Sequence, residues 1–392
     1  MSTGDDPLGF CPEELQALRE AGLHREMRTI ESAQQVTMKV DGRELLTFSS
    51  NNYLGLANHP RVCAAAAAAI EKYGTTAGSA RLVTGNYAIH DELERSLAEL
   101  KGTQDAVVFS SGYMSALALA TLVRSGDTVF SDEMNHASIV DGCRLAKAQT
   151  QIYRHCDADH LASRLQLWRR DHPASRALVV TDSVFSMDGD LAPLPDIVET
   201  CATHGAMLMV DEAHATGVLG PGGRGAVAHF NLTGQVHICM GTLSKSLASA
   251  GGFLAGSRVL CELLRNRART FMFDTGLPPA SAAAALEALE VLRREPNRPE
   301  RVRSLASRLA GGLSRIGVET NQPIAAIVPI PVGEPESAVE LSRRLLGHDI
   351  LVPAIRPPAV PPGTARLRAT VCASHTDDEV DRLVDALETI RR

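Results

Sequence analysis

Lys245 has a chemical setting that sets it apart from the other lysines of the sequence. Only five of the 39 basic residues are lysines, and the other 34 are arginines. Four of the lysines lie in polar or helix-end contexts, whereas Lys245 lies between the small-residue segments 241–244 and 246–252. A desolvated lysine can form a Schiff base with an aldehyde, and arginine cannot. Lys245 is therefore a candidate anchor for a carbonyl cofactor, and an exposed loop lysine is the less favoured alternative.

Polar side chains follow two apolar runs that read as buried strands. Asp211 and His214 come after the run 207–210, and Thr242 comes after the run 237–240. At the carboxyl end of a parallel strand such side chains face a ligand crevice, where an aspartate can keep a pyridine nitrogen protonated. Helix capping is the alternative interpretation of Asp211. A hydroxyl at Thr242, three residues before Lys245, suits a cofactor with both a phosphate and an aldehyde.

Two predicted helix starts carry further candidates. Gly112 and Tyr113 follow a strand, and free N–H groups at that helix start favour a phosphate. His136 begins another helix and could stack on a flat ring, although a structural role is the alternative.

Two other patterns are discounted as sites. Residues 220–225 lack the Gly-Lys-Ser/Thr ending of a phosphate-binding P-loop and read as a turn. Residues 155–160 hold His155 and Cys156, but no second cluster has matching spacing. A surface loop is favoured there, and no metal site is expected.

Short apolar runs that alternate with helical stretches must position these residues. The predicted strands are 106–109, 128–130, 151–153, 177–180, 207–210 and 237–240. The predicted helices between them are 89–100, 136–147, 158–170 and 193–204. This alternation predicts an α/β fold with a mainly parallel sheet that is covered on both faces.

Changes in this pattern divide the chain into three parts. Residues 1–48 form an N-terminal arm, with a helix over 12–33 and a hairpin that turns at Asp41-Gly42. Residues 49–285 form the large domain, and residues 286–392 form a smaller α+β domain. In the region of that smaller domain we expect helices at 280–295, 299–314, 335–347 and 377–390, and strands at 325–330 and 366–371.

The composition excludes several classes of partner. The chain has 392 residues, 22% of them charged, and a net charge of −7, which argues against nucleic acid or an anionic membrane. The longest apolar run, 63–70, is far too short for a membrane span, and residues 1–15 do not resemble a secretory signal. Eight scattered cysteines without a C-x-x-C pair fit a reducing, cytoplasmic location.

Seven segments in this order resemble the α-oxoamine synthase family of fold-type I pyridoxal-phosphate (PLP) enzymes, from about residue 15 to 390. The segments are 50–56 (SNNYLGL), 78–85 (GSARLVTG), 182–190 (DSVFSMDGD), 210–217, 241–245 (GTLSK), 273–279 (FDTGLPP) and 355–375. Each is moderately specific, and their joint order and spacing is highly specific.

The resemblance implies a large domain with a mostly parallel seven-stranded sheet, a smaller C-terminal domain, and a role for each candidate residue. Lys245 would bind PLP covalently and move protons at the substrate Cα. The other cofactor contacts would come from Asp211 at the pyridine nitrogen, His136 on the ring, Ser186 and His214 at its polar edge, and Gly112, Tyr113 and Thr242 at the phosphate. Thr275 would come from the neighbouring subunit, which implies a homodimer with shared sites. Arg368 would bind the amino-acid carboxylate, with Asn52 and Arg356 near the substrate.

The implied reaction is a decarboxylative condensation of an amino acid with an acyl-CoA or acyl carrier protein thioester. The motifs are most similar to the branch that uses L-alanine and a pimeloyl thioester in biotin synthesis. Open alternatives are a relative that uses glycine, serine or another acyl chain, a PLP lyase or aldolase, and a non-catalytic regulatory member.

Two positions on the acyl side depart from that branch. His24 stands after Leu23 where the branch has arginine, and Arg25 comes one residue later, which turns a helical side chain by about 100°. Ala359 stands where the branch has threonine.

Overall fold

The computed structural model describes residues 7–392, so the first six residues of the predicted arm lie outside it. Helix α1 (Phe10–Glu20) is followed by the strands β1 (Thr37–Val40) and β2 (Arg43–Thr47). These strands form the predicted hairpin, with Asp41 and Gly42 both at positive φ in the turn. The predicted helix over 12–33 is wrong beyond Glu20. Gly22 adopts φ +64°, and the amides of residues 22–24 bond back to Arg19 and Leu18, which ends the helix.

Seven strands form the central sheet, which confirms the predicted α/β class. They are β3 (Asp105–Phe109), β4 (Thr128–Asp132), β5 (Gln149–Tyr153), β6 (Ala177–Asp182), β7 (Met207–Asp211), β8 (Ile238–Thr242) and β9 (Gly252–Gly256). The order across the sheet is β3-β9-β8-β7-β6-β4-β5. Strands β8, β7, β6, β4 and β5 run parallel to one another, and β9 is antiparallel to its two neighbours, β3 and β8.

Helices cover this sheet on both faces. They are α2 (Pro60–Tyr73), α3 (Ala88–Lys101), α4 (Gly112–Leu117), α5 (Ala137–Leu145), α6 (Ala158–Asp171), α7 (Leu194–His204), α8 (Ala226–His229), α9 (Arg258–Arg267), α10 (Arg269–Met272) and α11 (Pro279–Arg294). Alternate residues of β3 enter separate cores, since Ala106 and Val108 join one and Val107 and Phe109 the other. The apolar runs of the sequence therefore lack the polar alternation of a half-exposed sheet.

The C-terminal elements form a second, smaller α+β unit. They are α12 (Arg298–Arg315), β10 (Ile327–Gly333), α13 (Pro335–Leu346), β11 (Ile350–Leu351), β12 (Ala354–Ile355), β13 (Ala365–Thr370) and α14 (Asp377–Arg391). Strands β10, β13 and β12 form one sheet, while β11 pairs with β2. This pairing joins the N-terminal hairpin to the C-terminal unit, and the three-part division of the chain stays a prediction. Among residues 7–392, no helix has both the length and the apolar character needed to cross a bilayer.

Candidate active site

A cavity of about 270 Å³ opens at the carboxyl edge of the parallel strands. Strand β6 ends at Asp182 and β7 ends at Asp211, and these two residues are register partners. Strand β8 ends at Thr242, three residues before Lys245. The side chains and backbone around this cavity belong to Ser111, Gly112, Tyr113, His136, Ser138, Asp182, Asp211, Ala213, His214, Met240, Thr242, Ser244 and Lys245. The structure thus brings together seven of the residues predicted from the sequence, on loops that follow four different strands.

Lys245 reaches this cavity without an ion-pair partner among residues 7–392. Burial lowers the pKa of its ammonium group, and the charges of Asp211 and Asp182 oppose that shift. Lys101 is also buried, but its Nζ lies 2.8 Å from Glu212 Oε2 and 2.7 Å from Thr216 Oγ1. Of these two buried lysines, only Lys245 has an amine that is free to react.

Asp211 and Asp182 place two carboxyls side by side at the base of the cavity. Asp211 Oδ1 accepts a hydrogen bond from the Ala213 amide at 2.8 Å, and the residue lines the cavity. No helix begins directly after Asp211, so the helix-capping alternative is not met. Burial raises the pKa of both acids, and in Asp182 the charge of Asp211 adds to this shift. Asp182 Oδ1 has no hydrogen-bond partner. Sequence reasoning quoted Asp182 within a motif but gave it no role, because only the strand register places it beside Asp211.

Two histidines face the same space. His136 caps helix α5 by accepting a hydrogen bond from the Ser138 amide at 3.2 Å, and its ring also lines the cavity. His214 Nδ1 lies 2.7 Å from the Tyr53 hydroxyl, and burial lowers the pKa of His214 well below its usual value. His214 is therefore neutral at pH 7. Tyr53 is fully buried, and its hydroxyl is a second group that sequence reasoning missed.

Hydroxyl groups collect at one end of the cavity, from Ser111, Ser138, Thr242 and Ser244. Thr242 Oγ1 lies 2.7 Å from Ser244 Oγ. A Cβ on Gly112 would come within 3.1 Å of Thr242 Oγ1, so glycine keeps this end open. The Tyr113 hydroxyl bonds to Asp141. These hydroxyls and the amides at the start of α4 suit a phosphate group.

Arg368 lies on β13 of the C-terminal unit and connects to His214 in the cavity wall through the Tyr53 hydroxyl. Its side chain donates to the Tyr53 hydroxyl at 3.3 Å and to Asn51 Oδ1 at 3.4 Å. Its Nε donates to the carbonyl oxygen of Ser186. No carboxylate among residues 7–392 pairs with this buried guanidinium. A free carboxylate ligand would supply what it lacks.

Five of the twelve predicted site residues are not among those that line the cavity, namely Asn52, Ser186, Thr275, Arg356 and Arg368. The side-chain oxygen of Asn52 accepts hydrogen bonds from the amides of Leu56 (2.9 Å) and Ala57 (3.1 Å), while its neighbour Asn51 contacts Arg368. A place for Asn52 near the substrate stays a prediction. Arg356 donates at 2.6 Å to the carbonyl oxygens of Gly22 and His24. It lines a separate groove between the N-terminal arm and the C-terminal unit instead of the cavity.

Thr275, which was predicted to act in a neighbouring subunit, is exposed and forms an isolated antiparallel bridge with Ala80. The surface beside this bridge carries exposed apolar side chains, since Leu82 is 52% exposed, Val83 is 74% exposed and Phe273 is 68% exposed.

The two discounted segments have structural roles. In residues 220–225 the glycines form a turn, and a Cβ on Gly225 would come within 2.3 Å of Glu212 Oε1. In residues 155–160, His155 is not on a plain surface loop as predicted, because its ring nitrogens lie 2.9 Å from Asp132 Oδ1 and 2.7 Å from Asp190 Oδ2.

A seven-stranded sheet with an unpaired lysine, an aspartate and a histidine at its carboxyl edge is typical of a fold-type I transferase, the class whose members bind PLP. The chain belongs to the aminotransferase class I and II family, which matches residues 43–387. It is 45% identical to an 8-amino-7-oxononanoate synthase from Symbiobacterium thermophilum, over 98% of this chain and 97% of that protein.

Solved structures give the same class. A structure of SPT with a PLP internal aldimine matches with a TM-score of 0.92 and 34% identity, over 98% of both chains. The 8-amino-7-oxononanoate synthase from Francisella tularensis matches with a TM-score of 0.76 and 26% identity, over 88% of this chain and 98% of that chain.

Proposed function

We propose that this chain is a PLP-dependent α-oxoamine synthase that condenses L-alanine with a pimeloyl thioester to give 8-amino-7-oxononanoate, with release of CO₂ and the carrier thiol. The observation that carries the reaction class is Arg368, a buried cation without a carboxylate partner among the described residues. Tyr53 links it to His214 in the wall of the Lys245 cavity. The choice of substrates is supported by the 45% identity to the 8-amino-7-oxononanoate synthase from Symbiobacterium thermophilum.

The residues around the cavity fit PLP in three respects. An amine of lowered pKa can attach to the aldehyde, a carboxyl pair lies where the pyridine nitrogen would be held, and the hydroxyl-rich end suits the phosphate. When bound, PLP supplies an aldehyde for covalent attachment and a ring that withdraws electrons from the amino-acid Cα. Asp211 would keep the ring nitrogen protonated, and Asp182, with its free oxygen, would support that charge.

Lys245 would act as both attachment point and proton carrier. Because burial favours its neutral amine, Lys245 can act as a nucleophile and, once released, as the base at Cα. After acyl transfer and loss of CO₂, the same nitrogen would return a proton to that carbon. His136 would stack on the ring, and neutral His214 would bond to the ring's polar edge together with Ser186.

Arg368 would bind the carboxylate of the amino acid through two parallel N–H groups. Asn51 would share this role, since its side-chain oxygen already lies 3.4 Å from the guanidinium. Arg356 would act indirectly, by holding the N-terminal arm through the backbone of residues 22 and 24.

We propose that two chains form a homodimer with shared active sites. Leu82, Val83 and Phe273 are large apolar side chains exposed on one surface, and a second copy would bury them. The Ala80–Thr275 bridge lies at this surface, so that Thr275 would enter the partner's site. All eight cysteines are free, which suits a reducing cytoplasm.

A cross-screen of L-alanine, glycine and L-serine against acyl-CoA thioesters of several lengths tests the function through release of coenzyme A thiol. Thiol release with L-alanine and pimeloyl-CoA is the expected result, and an acyl carrier protein thioester forms a second arm. Activity only with L-serine or glycine would favour the second candidate function, an α-oxoamine synthase that uses one of those amino acids. The fold match to SPT supports that candidate. Amino-acid turnover without any thiol release would identify a lyase or aldolase and refute the proposal.

A further inference from the structure

His155 lies between two carboxylates that belong to different parts of the chain. Asp132 ends strand β4 with a side chain that is 1% exposed, and Asp190 lies in a loop after β6 with 28% of its side chain exposed. Burial alone would lower the pKa of His155, but the hydrogen bonds to both acids outweigh burial and raise this pKa to about 12. The ring is therefore an imidazolium that bridges the two segments at neutral pH.

A metal ion is not needed to explain this cluster. Donor atoms of Asp132, His155 and Cys156 lie within 4.8 Å of one another. Both ring nitrogens of His155 are already engaged, and the Asp132 oxygens accept hydrogen bonds from the amides of Met134 and Cys156, each at 2.9 Å. The ring nitrogens and both Asp132 oxygens thus have partners within the protein, and only Asp190 Oδ1 is buried without one among these groups. The cluster therefore has the character of a structural bridge.

The loop that His155 contacts, residues 183–191, is named here the Ser186 loop. The Phe185 amide donates to the Asp190 carbonyl oxygen at 3.0 Å, so the position of Asp190 fixes that of Phe185. The His155 ring also packs edge-on against the Phe185 ring, with centroids 4.3 Å apart. His155 thus holds the loop at two points, one of them directly next to Ser186.

The C-terminal unit holds the same loop from a different strand. Arg368 Nε donates to the Ser186 carbonyl oxygen, and Arg366 forms an ion pair with Asp188. A Cβ on Gly189 (φ +70°) would come within 2.8 Å of the Ile327 carbonyl oxygen, so the loop packs closely on β10. The Ser186 loop therefore connects the His155 bridge to Arg368, which contacts the cavity residue His214 through Tyr53.

We propose that His155 is a positioning residue that holds the Ser186 loop against Arg368 and so sets the geometry in which the substrate carboxylate is bound. The inference rests on the proposed function, because it concerns the amino-acid site of that reaction. The physical reason is electrostatic. Without the imidazolium, the Asp132 and Asp190 carboxylates lose the cation between them, and the part of the loop that carries Asp190 loses its link to strand β4.

The test compares His155→Gln with His160→Gln in the full-length, PLP-loaded protein. His160 lies on the same segment and accepts a hydrogen bond from the Arg154 amide, which makes it a matched control. In His155→Gln we expect the KM for the amino acid to rise by about 10- to 100-fold, as a small misplacement of a binding group produces. The KM for the acyl thioester and kcat should change by less than about threefold. His155→Lys, which keeps a cation between the acids, should recover most of the amino-acid KM.

Hydrogen exchange of residues 183–191 gives a readout that does not depend on activity. Exchange should be faster in His155→Gln than in wild type and His160→Gln, with and without PLP. Unchanged exchange, an unchanged amino-acid KM, or an equal rise of both KM values would overturn the inference. Should His155→Gln fail to fold, Asp190→Asn weakens the same bridge from the loop and should shift the amino-acid KM in the same direction. A wild-type protein without thiol release would refute the proposed function alone, since the exchange comparison remains.

Discussion

Replacing Lys101 with methionine should remove a buried cation from a fully satisfied set of contacts. Its Nζ donates to Glu212 Oε2 at 2.8 Å, to Thr216 Oγ1 at 2.7 Å and to the Arg224 carbonyl oxygen at 2.8 Å. The Lys101 side chain is 1% exposed and the Glu212 side chain is fully buried. Methionine keeps the length of the side chain but leaves the Glu212 carboxylate without its counter-ion.

Loss of one partner of a buried ion pair costs about 3–5 kcal/mol, so Lys101→Met should lower the free energy of unfolding by that amount. Glu212 also accepts a hydrogen bond from the Val227 amide at 2.9 Å, which Glu212→Gln can preserve without the charge. The double variant Lys101→Met/Glu212→Gln should therefore recover about half of the loss or more. Urea unfolding of the PLP-free protein, followed by circular dichroism at one protein concentration, measures these differences.

Lys147→Met is the control, because Lys147 is exposed and its replacement should change the free energy of unfolding by no more than about 0.5 kcal/mol. Folded Lys101→Met should still give the borohydride adduct at Lys245, since the two lysines have separate contacts. A loss below about 1 kcal/mol, or no recovery in the double variant, would refute the assignment of Lys101 as a structural cation.

The remaining predictions concern the cavity and the His155 bridge. Lys245→Ala should abolish thiol release and the borohydride-trapped PLP adduct, and trapping that persists unchanged would contradict the assignment of Lys245. Arg368→Ala should raise the amino-acid KM by roughly 10- to 100-fold, equivalent to the loss of a charged hydrogen-bonding partner, and steady-state assays should show a much smaller change for the acyl thioester. The folded pKa of His155, about 12, lies above its ordinary value of 6.5, so its stabilisation is complete below pH 6.5 and declines as pH rises towards 12. The difference in unfolding free energy between wild type and His155→Gln should therefore shrink from pH 7 to pH 10, and a growing difference would refute this sign.

The sequence was sufficient to predict much of the sheet and the cofactor side of the cavity. Apolar runs ending in Asp211 and Thr242 mark strand ends, and parallel strands bring their carboxyl ends to one edge. Strand β9 was missed because small residues and flanking glycines hide its β character. A Cβ on Gly252 would come within 2.5 Å of Gly112 Cα, so that strand depends on close backbone packing and not on side-chain type.

Residue type alone could not resolve the substrate side. Asn51 and Asn52 are adjacent and chemically identical, and only the backbone turn decides which of them caps the amides of residues 56 and 57. Asp182 and Tyr53 were inside quoted motifs, but their partners are far away in the chain. Tyr53 contacts His214, 161 residues away, and Arg368, 315 residues away. Such pairings follow from tertiary structure, which a spacing pattern does not encode.

The two departures from the L-alanine and pimeloyl branch lie in segments that contact each other. Arg356 bonds to the backbone of the arm at residues 22 and 24, Arg25 donates to the Pro357 carbonyl oxygen at 3.3 Å, and the Ala359 amide bonds to the Arg356 carbonyl oxygen. The arm and the loop 356–359 therefore form one connected surface through Arg356. The groove that includes Arg25 and Arg356 shares no lining residue with the cofactor cavity. If the acyl chain binds at this groove, as the proposed function implies, substitutions there would change acyl preference without touching the contacts of Lys245 and Asp211.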